Sequence, residues 1–272
     1  MPGDEVAASC RDLVQVYGSA SGPVHALRGI SVDIRARAVT VVVGPSGAGK
    51  STFLRLVSCL EPPTVGDVVI AGESTSHLGR RARRRLMARR IGYVFQSPPD
   101  NLLDYLSVAE HVRLAWRMRA PDVPPRVDEP LEVTGLRDAA DLRPDDLSAG
   151  EQQRLAFAMA IAAHPTLVIA DEPTASLDPA GAKALADVLP ALVDHGQTLL
   201  ICTHDPAIIG GADRVLAIEN GTLAAEARDG GEMLAVVDDA GRIHLPREVA
   251  GLFPTQRARL SARDGHVRIE RP

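Results

Sequence analysis

The sequence predicts an α/β protein, a largely parallel sheet flanked by helices. Three observations carry that prediction. Short apolar runs at 39–43, 91–95, 167–170, 198–202 and 214–218 alternate with helical stretches, the pattern of buried parallel strands joined by crossovers. Polar residues gather just past those runs, at 44–52, Gln96, Asp171 with Glu172, and His204. In open α/β sheets the ligand crevice lies at that edge. The segment 44–52, GPSGAGKST, also falls between a β-branched run and a leucine-bearing helical stretch at 53–60. That is the setting in which a glycine-rich loop cradles phosphate.

Taken in order, residues 10–43 alternate and turn like β-structure. Strands are expected at 11–17 and 27–34, joined by a loop at 18–23 with Tyr17 at its start, then the buried strand 39–43. The helix after the loop stops before Glu61-Pro62-Pro63. A short strand follows at 67–70. The run RRARRRLMARR within 79–90 could meet nucleic acid or anionic lipid, and the acidic balance of the chain favours a solvated helix face instead. Ser107 and Glu110 form a capping box that opens a helix to about Arg119. Several prolines and short helical pieces over 120–147 point to a smaller, mostly helical part. Ser148 and Glu151 form a second capping box, opening a helix over 151–163. Residues 179–194 read as a helix that Pro190 ends or kinks. Glu219-Asn220-Gly221 is a turn signal after the last apolar strand.

Composition narrows the class. A chain of 272 residues with 45% hydrophobic residues is enough for one large domain, or for one domain plus a small appendage. The net charge of −5 argues against a dedicated nucleic-acid binder, and 3% aromatics leaves no stacking platform for single strands. The three cysteines are scattered without metal spacing, which fits a reducing compartment. Residues 1–9 are acidic and lack an apolar signal segment, and no run approaches the ~20 apolar residues of a membrane span. We therefore expect a cytoplasmic chain, with any membrane crossing left to another chain.

The polar strand ends can work on a nucleoside triphosphate. Gly44, Gly47 and Gly49, with Pro45, Ser46 and Ala48 between them, let backbone N–H groups turn inward, and the following helix adds its positive dipole end. Lys50 can reach the β- and γ-phosphates, and Ser51, followed by Thr52, can ligate Mg²⁺. Asp171 offers a second metal anchor. Glu172 can accept a proton from, or orient, an attacking water. Gln96 can touch the metal or that water through its amide, and His204 can bond the γ-phosphate. Lys50 is one of only two lysines, the other being Lys183.

These motifs, in this order, resemble those of the ABC-type ATPases, the nucleotide-binding subunits of ATP-binding-cassette transporters. They are GPSGAGKST at 44–52, Gln96, LSAGEQQR at 147–154, LVIADEPT at 167–174, Ser176-Leu177-Asp178, and His204. The match covers about residues 9–228. It implies a P-loop NTPase fold with an N-terminal antiparallel β part and a helical subdomain at about 97–163. It also implies ATP and Mg²⁺ as ligands, and two subunits that enclose two ATP molecules head to tail. Ser148, Gly150 and the helix they open would then touch the γ-phosphate held by the other subunit. Asp178 would sit at the dimer seam, and Tyr17 would stack on adenine. Ala149 stands where the family carries glycine. If that position required positive φ, alanine would cost about 1–2 kcal/mol, and we expect ordinary φ there.

Within the family, the segments YGSASGPVHALRGIS at 17–31, SPPDNLLDYLSVAEHV at 97–112 and IADEPTASLD at 169–178 resemble ATPases of the lipoprotein-release and macrolide-export type. Their partner is an integral membrane permease on a separate chain, expected to contact 97–106. That would place this chain peripherally at the inner face of the membrane. The alternatives are a soluble ABC ATPase acting on DNA or ribosomes, or a regulator with a DNA-binding tail. Neither long coiled-coil insertions nor a second cassette is present to support the former.

Residues 233–272 read as short strands with turns at 238–241 and 263–265. The stretch VDDAGRIHLPREV at 237–249 resembles the swapped-hairpin domain of transition-state regulators. A small β domain is expected there, either packed on the ATPase or pairing two subunits, with DNA an unlikely ligand because its arginines are offset by acids.

Overall fold

A computed structural model of the chain describes residues 5–19, 22–97, 101–120, 123–228, 230–237, 243, 259–263 and 266–270. The chain folds as the sheet pattern predicts, with additions. The strands are β1 (Val6–Ser19), β2 (Gly22–Arg35), β3 (Val39–Val43), β4 (Val65–Ile70), β5 (Glu73–Ser74), β6 (Ile91–Val94), β7 (Leu167–Asp171), β8 (Leu199–Cys202), β9 (Arg214–Glu219), β10 (Thr222–Arg228), β11 (Leu234–Ala235), β12 (Arg259–Arg263) and β13 (His266–Glu270). The helices are α1 (Lys50–Val57), α2 (Arg80–Arg90), α3 (Val108–Arg119), α4 (Asp128–Val133), α5 (Ala149–Ile161), α6 (Pro179–Asp194) and α7 (Pro206–Gly210). A seven-stranded sheet runs β11-β10-β9-β3-β8-β7-β6, and β9 through β6 are parallel neighbours. The β9–β10 hairpin closes one side through Asn220 and Gly221, both at positive φ, as the turn signal requires. A second, antiparallel sheet runs β2-β1-β4-β5.

The parallel strands are buried on both faces, and each face has its own core. One core packs α1 and the antiparallel sheet around Phe53, Leu54 and Ile34. The other packs Phe157 of α5 and Leu185, Leu189 and Leu192 of α6 against β3, β7 and β8. A third cluster lies among the helices, around Val108, Val112, Trp116, Leu131 and Leu155. Helix α5 feeds two of these cores. Leu155 and Ala158 face the helices, whereas Phe157 and Ile161 face the sheet. A helix buried on most sides is apolar most of the way round, and Leu155–Ala163 is.

Several boundaries differ from expectation for physical reasons. Helix α1 starts at Lys50 rather than 53, because Gly49 takes the left-handed N-cap conformation (φ 105) and turns the chain directly into helix. Strands β1 and β2 are longer than predicted, so Tyr17 lies within β1 and not at a loop start. Pro190 does not end α6, which runs on to Asp194. Its ring is exposed, and three buried leucines hold the helix to the sheet, so packing outweighs the lost backbone bond. All three cysteines are free and buried. In the tail, β12 pairs with β13, and Val237 bridges to Ile243. The turn expected at 238–241 and most of 242–258 lie outside the described residues; of the turn expected at 263–265, Arg263 ends β12 and 264–265 lie outside them as well.

The loop before α3 has a support the sequence did not advertise. His111 is fully buried. Its Nε2 accepts from the Leu103 N–H at 2.8 Å, and its Nδ1 donates to the Ser107 carbonyl at 2.8 Å. The ring is therefore neutral, and burial holds its pKa below the ordinary 6.5. A lowered histidine pKa adds stability above 6.5 that is lost as pH falls through the folded value. The protection factor of the Leu103 amide, its exchange rate relative to an unstructured amide at the same pH, should fall on acidification through that window, and His111→Phe should remove that pH dependence.

Candidate functional site

The sequence builds a cleft at the carboxyl ends of β3, β7 and β8. The cleft holds about 630 Å³ and is lined by Gly44, Ser46, Gly47, Gly49, Lys50, Ser51, Thr52, Asp171, Glu172, Cys202, Thr203 and His204, with Val24, His25 and Ala26 from β2. Most of the residues predicted past the strand ends thus meet in one place. The loop fits tightly into the fold. A side chain on Gly44 would sit 2.1 Å from the Ile218 carbonyl oxygen, and one on Gly49 would sit 2.5 Å from that of Ala26. Only glycine permits those approaches.

Lys50 Nζ donates to the carbonyls of Gly44 (2.8 Å) and Pro45 (3.1 Å), so the loop holds its own cation over its mouth. Pro45 and Ala48 do not line the cleft. The Pro45 carbonyl also accepts from the Ala48 N–H, and the buried Ala48 ties the loop to Gly221 at 2.9 Å. No side chain caps α1 and its first turn holds no acid. Its leading N–H groups therefore remain open to an anion.

Glu172 and His204 face each other across the cleft. His204 Nδ1 lies 2.9 Å from Glu172 Oε2, with His204 84% exposed and Glu172 19%. The two atoms approach closely without hydrogen-bond alignment, and the buried Glu172 Oε2 has no hydrogen-bond partner among the described residues. Glu172 also sits at positive φ (48°), held there by its N–H bond to the Cys202 carbonyl at 2.7 Å. A non-glycine residue in that region stores strain, a common mark of a working site. Burial pushes the Cys202 thiol up, helped by the adjacent Asp171 and Glu172 carboxylates, so Cys202 lines the cleft as a neutral group.

The donor set suits Mg²⁺ in one particular way. Among the described residues no group of three acidic, histidine or cysteine side chains could hold a metal alone. Ser51 and Asp171 supply two oxygens, which fits an ion taken up largely by phosphate and water.

Other predicted residues lie elsewhere. Gln96 is exposed two residues past β6, which is parallel to β7, and does not line the cleft. Tyr17 is outside it as well, although its cross-strand partner Val24 is inside. The Tyr17 hydroxyl donates to Glu61 Oε2 at 2.6 Å, and burial with that carboxylate raises its pKa. Ser148, Gly150 and Asp178 form a separate group, none lining the cleft. Ser148 caps α5, exchanging hydrogen bonds with Glu151, and these hold the Glu151 carboxyl low. Asp178 caps α6 through the Gly181 N–H at 2.8 Å. Gly150 is buried, and a side chain there would lie 3.2 Å from Gly181 Cα, so it also allows the starts of α5 and α6 to touch. Ala149 opens α5 with no positive φ, as expected.

Sequence reasoning missed Val24, His25 and Ala26. The segment 17–31 that contains them carries only a family resemblance, and nothing in it marks a cleft residue; they reach the cleft because β2 packs under Gly49 and Gly221. It also missed a second cleft of about 430 Å³, lined chiefly by Met87, Tyr93, Phe95, Met118 and Met159, with Asn101 at one side. Asn101 clamps the chain after β6, bonding Phe95 and Ser97. Arg119 lines this cleft too. It donates to the Ala160 carbonyl, burial lowers its pKa to about 10, and no described carboxylate pairs with it.

A phosphate-binding loop, two carboxylates after a buried strand and a histidine after the next define a P-loop nucleoside-triphosphatase cassette. Residues 27–175 match the family model described as ABC transporter. The chain belongs to that family and is an ATP-hydrolysing cassette of the transporter type. It is 38% identical over 224 residues to the lipoprotein-releasing system ATP-binding protein LolD of Ruegeria sp., covering 80% of this chain and 98% of that one. It is 32% identical over 237 residues to the macrolide export ATP-binding/permease protein MacB of Neisseria gonorrhoeae, covering 86% of this chain and 36% of that one. Among solved structures, a dimeric ATP-binding cassette, MJ0796, in a post-hydrolysis state with ADP and phosphate is similar, with TM-score 0.73 and 29% identity over 83% of this chain and all of that one.

Proposed function

We propose that the cleft is half of an ATP site and that a second copy of the chain supplies the other half. The observation that carries this reading is the separation within one chain: Lys50, Asp171, Glu172 and His204 share the cleft, while the capped start of α5 lies outside it. The loop N–H groups and Lys50 hold the phosphates. Ser51 and Asp171, with Gln96 once its loop closes, hold Mg²⁺, which when bound neutralises charge on the phosphate oxygens. Glu172 orients the attacking water and accepts its proton as the γ-phosphate leaves ADP. His204, freed from Glu172, bonds the γ-phosphate. Ser148, Gly150 and the α5 N-terminus of the partner complete the site, with Asp178 at the seam and Tyr17 beside the base.

Closing and opening of that dimer drives a separate membrane permease. The second cleft, beside Phe95 and Asn101, is where we place it. Of the segment first expected to receive it, 97–106, residues 98–100 lie outside the described ones, and Asn101 lines this cleft. Among the described residues no helix is long and apolar enough to cross a membrane. The likeness to LolD and MacB supports a permease that works beyond the membrane, with this chain peripheral at its inner face. We place residues 233–272 as a β appendage to the cassette, with the correction that its first strand, β11, joins the edge of the cassette's own sheet beside β10. Purification of the chain from its own membranes tests the reading. Recovery with one integral membrane protein that alters its ATP turnover is expected, and recovery without one, with salt-sensitive DNA binding instead, would overturn it.

A further inference from the structure

Helix α2 carries seven arginines in eleven residues: Arg80, Arg81, Arg83, Arg84, Arg85, Arg89 and Arg90. No acidic residue falls between Glu73 and Asp100 in the sequence. None of the seven forms an ion pair among the described residues. All but Arg83 are exposed. A chain with net charge −5 thus concentrates unneutralised positive charge on a helix about 16 Å long.

The helical period sorts the residues. Leu86, the one buried side chain, faces the core together with Arg83 and Met87. At 100° per residue, Arg80, Arg84, Arg81, Arg85 and Arg89 sweep the opposite half-turn. Ala88 is the only apolar side chain among them. Protein partners usually anchor on aromatic or aliphatic side chains, and this arc offers none. A flat anionic surface needs only charge. The helix also forms one wall of the second cleft, through Arg84, Met87 and Ala88, and neither that cleft nor its far wall at Arg119 supplies a carboxylate.

We propose that the outer face of α2 contacts the anionic lipid headgroups of the membrane in which the permease sits. The proposal rests on the reading that the second cleft seats that permease, because the same wall would then face the bilayer. Attraction of this kind is electrostatic, extends about 8 Å at physiological salt, and falls as salt rises. Nucleic acid, the other polyanion that unadorned arginines could meet, is disfavoured by the acidic balance of the rest of the chain.

The test is co-sedimentation of the full chain with vesicles of phosphatidylcholine alone or mixed with phosphatidylglycerol, at low and high salt. The comparison is a variant with Arg81→Gln, Arg85→Gln and Arg89→Gln, outside both clefts and nearly neutral in helix propensity. Wild type should bind the mixed vesicles, release in high salt, and ignore phosphatidylcholine. The triple variant should bind about tenfold or more weakly, with unchanged basal ATP turnover and circular dichroism. Equal binding to both vesicles, an unaffected variant, or preference for duplex DNA over the mixed vesicles would overturn the proposal. Vesicle binding by a chain that never co-purifies with a membrane protein would keep the lipid contact while removing the transporter reading.

Discussion

Glu172→Gln is expected to cut steady-state ATP turnover by about 10²–10⁴-fold, the usual worth of a positioned general base, while ATP stays bound. The substitution keeps the shape of the side chain and removes its basicity. It also removes the charge beside His204 Nδ1, 2.9 Å away, so the histidine is released toward the phosphate rather than held back. Binding should therefore survive or tighten as turnover falls. The strained backbone at Glu172, fixed by its bond to the Cys202 carbonyl, does not depend on the carboxylate and should not move. Single-turnover assays with retained nucleotide counted on the protein check this. Near-normal turnover would remove Glu172 from its role.

Lys50→Ala acts on the other side of the cleft and should weaken ATP binding itself. The loss of a charge-assisted contact is worth about 1.5–3 kcal/mol, or roughly ten- to a hundredfold in affinity. Two contributions combine here. The ammonium group disappears from beside the phosphates, and the Gly44 and Pro45 carbonyls lose the donor that closes the loop. The loop should not collapse, because Gly44 and Gly49 remain wedged against Ile218 and Ala26. Calorimetric titration with ATP should thus show weak binding to a chain with unchanged thermal stability. Undiminished affinity would count against the assignment of the loop.

Much of this was legible in the sequence because the chemistry sits at the ends of buried strands. A buried parallel strand must be apolar, so β3, β7 and β8 announce themselves, and the polar residue that follows each one stands out. Ser107 and Ser148 were legible for a similar reason: a capping box uses residues three apart, and both boxes formed as read. What could not be read depends on contacts distant in sequence. Ala26 enters the cleft only because β2 lies under Gly49 and Gly221. His111 looks like any helical histidine until the Leu103 N–H points at it. Gly150 belongs to a motif read as phosphate-binding, yet its burial against Gly181 gives it a packing duty as well. The arginines of α2 read as a solvated face, and only the absence of any ion pair to them among the described residues sets that face apart.

A composite site requires Ser148 of one copy to serve the ATP bound by another. Sedimentation of the Glu172→Gln chain at saturating ATP, with and without Ser148→Arg, tests it most directly. Glu172→Gln alone should run at twice the monomer mass. Adding Ser148→Arg should return it to the monomer, each chain still binding ATP through its own half-site, because Ser148 lies outside its own cleft. A dimer that persists despite Ser148→Arg, or a monomer that loses its ATP, would contradict the composite site.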